Sequence, residues 1–301
     1  MIPVVVGVAV LIFSILYFTP GDPATMILGS NATVDDITAL RQRMGLNDSY
    51  IVQLGRFLKQ TFLRFDFGVS YFTSKSISKE ILSRFPHTFL LALGSMILSC
   101  LIGIPLGITA AVHQNKLSDR VSMLVALAGI SMPQFWVGLL LVLLFSLKLG
   151  LLPAAGIEGP SSYIIPIIAT SFGGIATQAR LVRSSMLDVI HSDYVTTARA
   201  KGVNKTATIY KHALPNALIP VITQAGNSFG KMLGGTIIIE SVFSIPGIGL
   251  YMINAINNRD YPVVRGSVVF LAITFSFVIL LVDLIYAFID PRIKAQYENK
   301  R

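Results

Sequence analysis

The sequence predicts an all-α, polytopic membrane protein with six transmembrane helices, and three observations predict it. Of its 301 residues, 53% are hydrophobic and 13% charged, with a mean hydropathy of +0.69; an ordinary soluble domain carries about 25% charged residues. Six long stretches are nearly free of Asp, Glu, Lys and Arg, each close to the roughly 20 residues that a helix needs to cross a hydrocarbon core. Lys and Arg are concentrated in alternate connectors, as the positive-inside rule demands. The same composition excludes disorder, because a chain this apolar has ample surface to bury. The single cysteine, Cys100, excludes an intramolecular disulfide and a cysteine-based metal cluster. The net charge of +9 then belongs to loops beside a membrane rather than to a nucleic-acid surface.

The spans follow in order. Residues 2–19 form the first, and 86–112 the second, opened by Pro86 where a missing N–H costs nothing. Residues 121–147 hold no ionisable side chain and allow a tilted span with a kink at Pro133. The fourth, 163–182, carries Gly173, Gly174, Gln178 and Arg180, so it packs against protein or water. The fifth, about 216–240, contains Pro220, Gln224, Asn227, Ser228 and Lys231; the sixth runs about 264–290 with Asp283 near its end. With both termini cytoplasmic, the inside connectors 113–120, 183–215 and 291–301 hold two, five and four Lys or Arg, and the short outside connectors 148–162 and 241–262 hold one each. Residues 20–85 hold eight, but segments this long translocate with little regard to charge. The domain organisation is thus a first helix at 1–19, an extracytoplasmic segment at 20–85, a five-helix core at 86–290 including the cytoplasmic loop 183–215, and a tail at 291–301. Nothing basic precedes the first span, which is expected to be a true span with upstream residues missing rather than a cleaved signal.

Within 20–85, Val34, Ile37, Leu40 and Met44, then Ile51, Leu54, Leu58 and Phe62, recur at helical spacing. They predict two short amphipathic helices that lie on the membrane or cap the bundle. At membrane depth, Gln134, Gln178, Gln224, Asn227 and Ser228 need partners or water; they serve either interhelical hydrogen bonds or an aqueous path. Pro246, Gly247 and Gly249 break the helix after the fifth span, as a re-entrant hook at a gate or as a plain outer turn.

The loop 183–215 is too long and structured for a mere connector. Asp193 is placed to cap a helix from Tyr194 to Lys201, and Gly202 to stop it where positive φ is needed. A second helix runs on to Pro215. Thr197, Ala198 and Ala200, flanked by Arg199 and Lys201, form a compact knob for a partner's groove; a solvated basic loop is the competing interpretation.

These residues carry a resemblance. Thr197-Ala198, three residues, Gly202 and then Leu214-Pro215 after eleven more are similar to the cytoplasmic loop motif of permease subunits in binding-protein-dependent ABC importers, with Thr196, Thr197 and His212 departing from its general form. The run Asp193-Tyr194 to Thr197-Ala198-Arg199-Ala200-Lys201-Gly202 resembles the peptide, glutathione and nickel branch. Further similarity lies in Pro20-Gly21-Asp22-Pro23, Asp66-Phe67-Gly68 with Ser70, Glu240-Ser241-Val242-Phe243 leading to Pro246-Gly247-Ile248-Gly249, and Arg259-Asp260-Tyr261-Pro262. The resemblance implies a type I, methionine-permease-like fold in the bacterial or archaeal inner membrane. It implies a second homologous permease subunit, two cytoplasmic ATPases and an extracytoplasmic solute-binding protein as partners. It also implies that the 193–205 loop, with Leu214 and Pro215, couples the chain to the ATPases. The cargo implied is a di- or oligopeptide or glutathione, with nickel or a metal chelate as the alternative within the family, and a lone secondary transporter or channel outside it.

No cofactor is expected in the chain itself. Gly226-Asn227-Ser228-Phe229-Gly230-Lys231-Met232 fails as a phosphate loop, because its glycines are one residue too close and Met232 cannot ligate magnesium; ATP and magnesium are expected on the partner ATPases. His87, His113, His191 and His212 are too scattered to form a ligand set, and Asp283 lacks a nearby intramembrane carboxylate for proteolysis, so a non-catalytic subunit is expected.

Overall fold

The structure, a computed structural model, describes residues 1–29 and 31–289, with side chains described to residue 285. In chain order the helices are α1 (Ile2–Phe18), α2 (Pro23–Leu28), α3 (Val34–Met44), α4 (Tyr50–Arg64), α5 (Ile77–Val112), α6 (Leu117–Ser131), α7 (Gln134–Leu141), α8 (Ile164–Ile190), α9 (Asp193–Ala200), α10 (Lys205–Ala207), α11 (Leu214–Ala217), α12 (Ile219–Gly235), α13 (Ile237–Val242), α14 (Ile248–Asn257) and α15 (Tyr261–Ile289). Val142–Lys148 continues α7 as a π-helix, and a second π-helix, Thr208–Ala213, links α10 to α11. Among the described residues the only pairing of extended chain is an isolated antiparallel bridge, Val69 with Ser76.

Three helices are long and apolar enough to cross a membrane: Ile77–Val112, Pro160–Ile190 and Tyr261–Ile285. A fourth is reached if α6 and the α7 segment count as one span, although they meet at 100°. The expected kink at Pro133 is therefore a sharp break. Met132 is extended, at ψ 126°, as a residue before proline prefers, and Pro133 caps a new helix at Gln134. The second span does not open at Pro86. Its helix begins at Ile77, because Ile77 and Ile81 are fully buried and Glu80 pairs with Arg84 one turn on at 2.9 Å, so Pro86 lies inside it. α1 and α12 are each 17 residues, shorter than the three helices long enough to cross a membrane. Leu101, Leu124 and Leu284 are more than half exposed on the long helices, a surface suited to lipid rather than water.

The chain divides into two compact units. The first comprises Met1–Thr88 and Pro246–Ser276. Here α1 packs on α4: Phe13 stacks on Phe57 with centroids 5.6 Å apart, and Tyr50 meets Tyr17 edge-on and shares a 2.7 Å hydrogen bond with Ser14. Both expected amphipathic helices form as α3 and α4. Thr33 caps α3 by accepting from the Asp36 N–H at 3.2 Å, and Gly45 ends it in the left-handed region. The buried face of α4 centres on Phe57 and Thr61, however, while Ile51 is 77% exposed.

The second unit comprises Phe89–Ile245 and the chain from Phe277. α8 is its hub, packing against α6, α7, α11 and α12. α5 approaches α8 through Gly103 and Gly107, spaced as small residues are at close membrane-helix crossings. A methyl group at Gly103 would lie 2.7 Å from the Ile175 carbonyl oxygen, and one at Gly107 2.6 Å from that of Ala179. Asp119 and Arg183 join α6 to α8 through two parallel bonds of 2.6 and 2.7 Å, the geometry in which guanidinium meets carboxylate most strongly. One core cluster gathers Ile108, Val182, Met186, Val195, Ile209 and Ala213; another gathers Leu91, Val137, Ile165, Ile239 and Phe243.

Candidate functional site

Two regions of the second unit hold most of the residues singled out in the sequence. The first is the helical hairpin after α8. α8 continues to Ile190, so the loop expected from residue 183 begins later. Ser192, not Asp193, occupies the position before α9, and Asp193 is its first helical residue. α9 ends as expected: Gly202 has φ +81°, its N–H donates to the Arg199 carbonyl at 2.9 Å, and the Val203 N–H donates to Ala198 at 3.3 Å, the reciprocal pair of a Schellman stop. Asn204 starts the next helix by accepting from the Ala207 N–H at 2.7 Å. The Asn216 amide donates to the Tyr194 hydroxyl at 2.7 Å, tying the two arms together.

This hairpin sorts its side chains by face. Val195 and Ala198 are buried toward the core formed with Val182, Met186 and Ala213. Asp193, Tyr194, Thr197, Arg199, Ala200, Lys201, Gly202 and Pro215 are exposed, and Leu214 is half-buried. Ala198 thus anchors the knob instead of presenting it, because α9 needs an apolar face of its own to stay on the bundle. The exposed remainder offers small groups at Thr197, Ala200 and Gly202 between two cations.

The second region is a cavity of about 380 Å³ between α7, α8 and α12. Gln134, Gln224 and Ser228 line it, and the Gln224 amide reaches Ser228 Oγ at 3.4 Å. Two expected residues do not. Gln178 is 1% exposed, its Oε1 has no hydrogen-bond partner, and its Cβ lies near Gly103. Asn227 is half-buried outside the lining. Thr170, Gly173, Gly174, Thr177 and Lys231 line the cavity as well. The first four are spaced i, i+3, i+4, i+7, one face of a helix, a signal that was present in the sequence. Both threonine hydroxyls donate to carbonyls one turn back, at 2.8 Å, so the wall is polar but nearly uncharged.

After α13 the chain turns at Ser244, which takes the left-handed conformation at φ +52°. Gly247 precedes α14 at φ −86° and Gly249 lies buried inside it, so neither supplies the positive φ of the turn. The Ile248 N–H donates to Thr88 Oγ1 at 2.9 Å.

In the first unit, three of the resembling motifs meet. Asp22 accepts from Thr25 Oγ1 at 2.8 Å and pairs with Arg41 at 3.1 Å. Burial pushes its carboxyl up, but these two contacts with nearby backbone N–H groups outweigh burial and hold it below the ordinary 3.8. Gly21, at φ +133°, lies close to Arg259 and Tyr261, with 3.2 Å from a methyl at its position to Arg259 Nη1. Asp260 accepts from Ser70 Oγ at 2.6 Å and from the Tyr71 N–H at 3.1 Å. Tyr251 lies under the Arg84 guanidinium, 4.6 Å from the ring centroid, and burial, with Glu80 and Asp260 nearby, pushes its phenol up to about 12. Arg265, unremarked in the sixth span, sits over the rings of Phe57 and Phe13 at 4.8 and 5.8 Å. Only packing reveals it, since its partners come from α1 and α4.

Comparison with known proteins places these features in one family. Residues 103–295 match the binding-protein-dependent transport system inner membrane component, and residues 1–92 match the N-terminal part described for such membrane components. The glutathione transport system permease protein GsiC of Salmonella paratyphi A is 42% identical over 294 residues, covering 98% of this chain and 96% of that protein. The dipeptide transport system permease protein DppB of Alkalihalophilus pseudofirmus is 42% identical over 322 residues, with the same coverage of each. Inward-facing structures of the MetNI methionine ABC transporter share the fold, with a TM-score of 0.60 at 18% identity over 70% of this chain and 97% of that one. With an all-helical fold and matches running along almost its whole length, the chain belongs to the binding-protein-dependent transport system inner membrane component family, the permease subunits of ABC importers.

Proposed function

We propose that this permease subunit forms the translocation path for di- or oligopeptides or similar small peptides such as glutathione, moved inward by ATP hydrolysed on partner subunits. Supporting this is the cavity between α7, α8 and α12, whose amides and hydroxyls suit a neutral or zwitterionic peptide better than a bare metal ion. The relatives named for glutathione and dipeptide transport favour the same cargo over nickel. In this proposal the chain spans the membrane six times with both termini cytoplasmic; α1, the bent α6–α7 pair and the α12–α13 pair supply the spans beyond the three long helices. It carries no catalytic residue. The exposed face of the α9 hairpin, from Asp193 to Gly202 with Leu214 and Pro215 behind it, enters a cleft of a cytoplasmic ATPase, and Ser244–Gly249 lies at the outer gate. A second homologous permease, two ATPases and an extracytoplasmic receptor complete the assembly. ATP and magnesium bind the ATPases, not this chain.

Purification from the native membrane in mild detergent, with mass spectrometry of what stays bound, tests the assembly. Two ATPase chains and a second permease are expected; recovery of this chain alone, still transporting in ATP-free liposomes, contradicts it.

A further inference from the structure

Within the first unit, a cavity of about 320 Å³ opens beside the end of α1, lined among others by Tyr17, Asp22, Arg41, Tyr71, Tyr261 and Arg265. Its volume falls at the lower end of the ~300–1,000 Å³ typical of small-molecule sites. Charge is unevenly satisfied around it. Arg41 is neutralised by Asp22 at 3.1 Å. Asp260, an acid of the same unit, is occupied by Ser70 and the Tyr71 N–H. Arg265 forms no ion pair among the described residues; it rests on the faces of Phe57 and Phe13, with the Tyr71 phenol nearby. Such ring contacts compensate a half-buried guanidinium only in part. Two buried polar atoms are also unpaired here, Arg265 Nε and the Tyr261 hydroxyl. Native structures leave few such groups without a ligand or a reason.

We propose that this cavity binds a small solute through one carboxylate, held by the Arg265 guanidinium and the Tyr261 hydroxyl. A guanidinium offers paired donors that match a carboxylate, and the apolar walls from Phe13, Leu16 and Tyr17 accept the rest of a short peptide. The lining of this site shares no residue with that of the α7–α8–α12 cavity, and the site rests on the proposed function only in taking a peptide as its ligand.

The test uses the full importer assembly, without its solute receptor, in phosphatidylcholine nanodiscs. Binding of labelled Ala-Phe and of its C-terminal amide is measured by equilibrium dialysis, in parallel with ATP-driven uptake into sealed liposomes that hold the same assembly, after the receptor is added. Saturable binding of Ala-Phe is expected, at least tenfold weaker for the amide, severalfold weaker in Tyr261→Phe, and lost in Arg265→Gln. Tyr261→Phe removes a single oxygen, so it keeps the test sound if Arg265→Gln fails to fold. Equal binding of peptide and amide, or unchanged binding in Tyr261→Phe, overturns the site. Saturable binding of labelled glycerol 3-phosphate without any binding of Ala-Phe reassigns it to a phosphate headgroup and overturns the carboxylate. ATP-driven uptake with no bound peptide overturns this site alone, whereas bound peptide with no ATP-driven uptake overturns the transport function alone.

Discussion

Gly107 shows how much a single missing side chain decides. Its neighbours across the α5–α8 crossing are the Ala179 carbonyl and Val182 Cβ, both 2.6 Å from where a methyl would sit. Gly107→Val therefore forces the helices apart, at a cost of about 1–3 kcal/mol, and a lower thermal unfolding midpoint in detergent is expected. Asp22 acts at the same scale through charge. Because Thr25 and Arg41 hold its carboxyl below 3.8, its contribution is present above that value and is lost as pH falls through the depressed one. The pair is partly exposed, so the stability difference between wild type and Asp22→Asn should be about 0.2–1 kcal/mol near neutral pH. That difference should shrink in melts taken progressively below pH 3.8; a difference independent of pH would contradict the assignment. Residue-level chemistry was the least legible part of the sequence. Gln178 looked like a path residue but is turned by about 100° from Thr177 on α8, into the α5 contact. Arg265 was lost in an apolar run, since Phe13 and Phe57, more than 200 positions away, define its setting.

At the scale of elements, local rules carried further. The stop at Gly202, the start of a second helix after it, and both amphipathic helices before α5 were readable from capping and spacing. Boundaries set by tertiary packing were not: Pro86 lies inside α5 because Ile77 and Ile81 bury upstream of it, and the break at Pro133 turns the chain by 100°. The hairpin yields a discriminating prediction. The space beside Gly202 is open, so a side chain there meets nothing in this chain and adds only the strain of positive φ, about 1–2 kcal/mol. Gly202→Trp should leave the chain folded and inserted while lowering transport per ATP hydrolysed at least tenfold. Gly202→Asn, which tolerates the left-handed conformation, should stay much closer to wild type. Coupled uptake and ATP hydrolysis in the same vesicles separate the two, and full coupling in Gly202→Trp would remove the docking role from the hairpin.

For the whole molecule, composition and the distribution of charge announced a polytopic helical membrane protein, and the family match bears out that class. The exposed leucines of α5, α6 and α15 explain why the signal is so strong: lipid, unlike water, rewards apolar residues on the outside. The number of spans was less legible, because α1 and α12 are short and α6–α7 is bent, and such helices cross only with help from neighbours. The polar cavity, the exposed hairpin and the ligand-sized cavity of the first unit make up one proposed device, in which capture, passage and energy input fall to different residues. The most direct measurement of that device is uptake of a labelled dipeptide and of labelled glutathione by liposomes containing the reconstituted importer and its receptor, with ATP supplied or withheld on the ATPase side. Accumulation that requires ATP and the receptor is the result predicted; equal accumulation without ATP would contradict an ATP-driven importer.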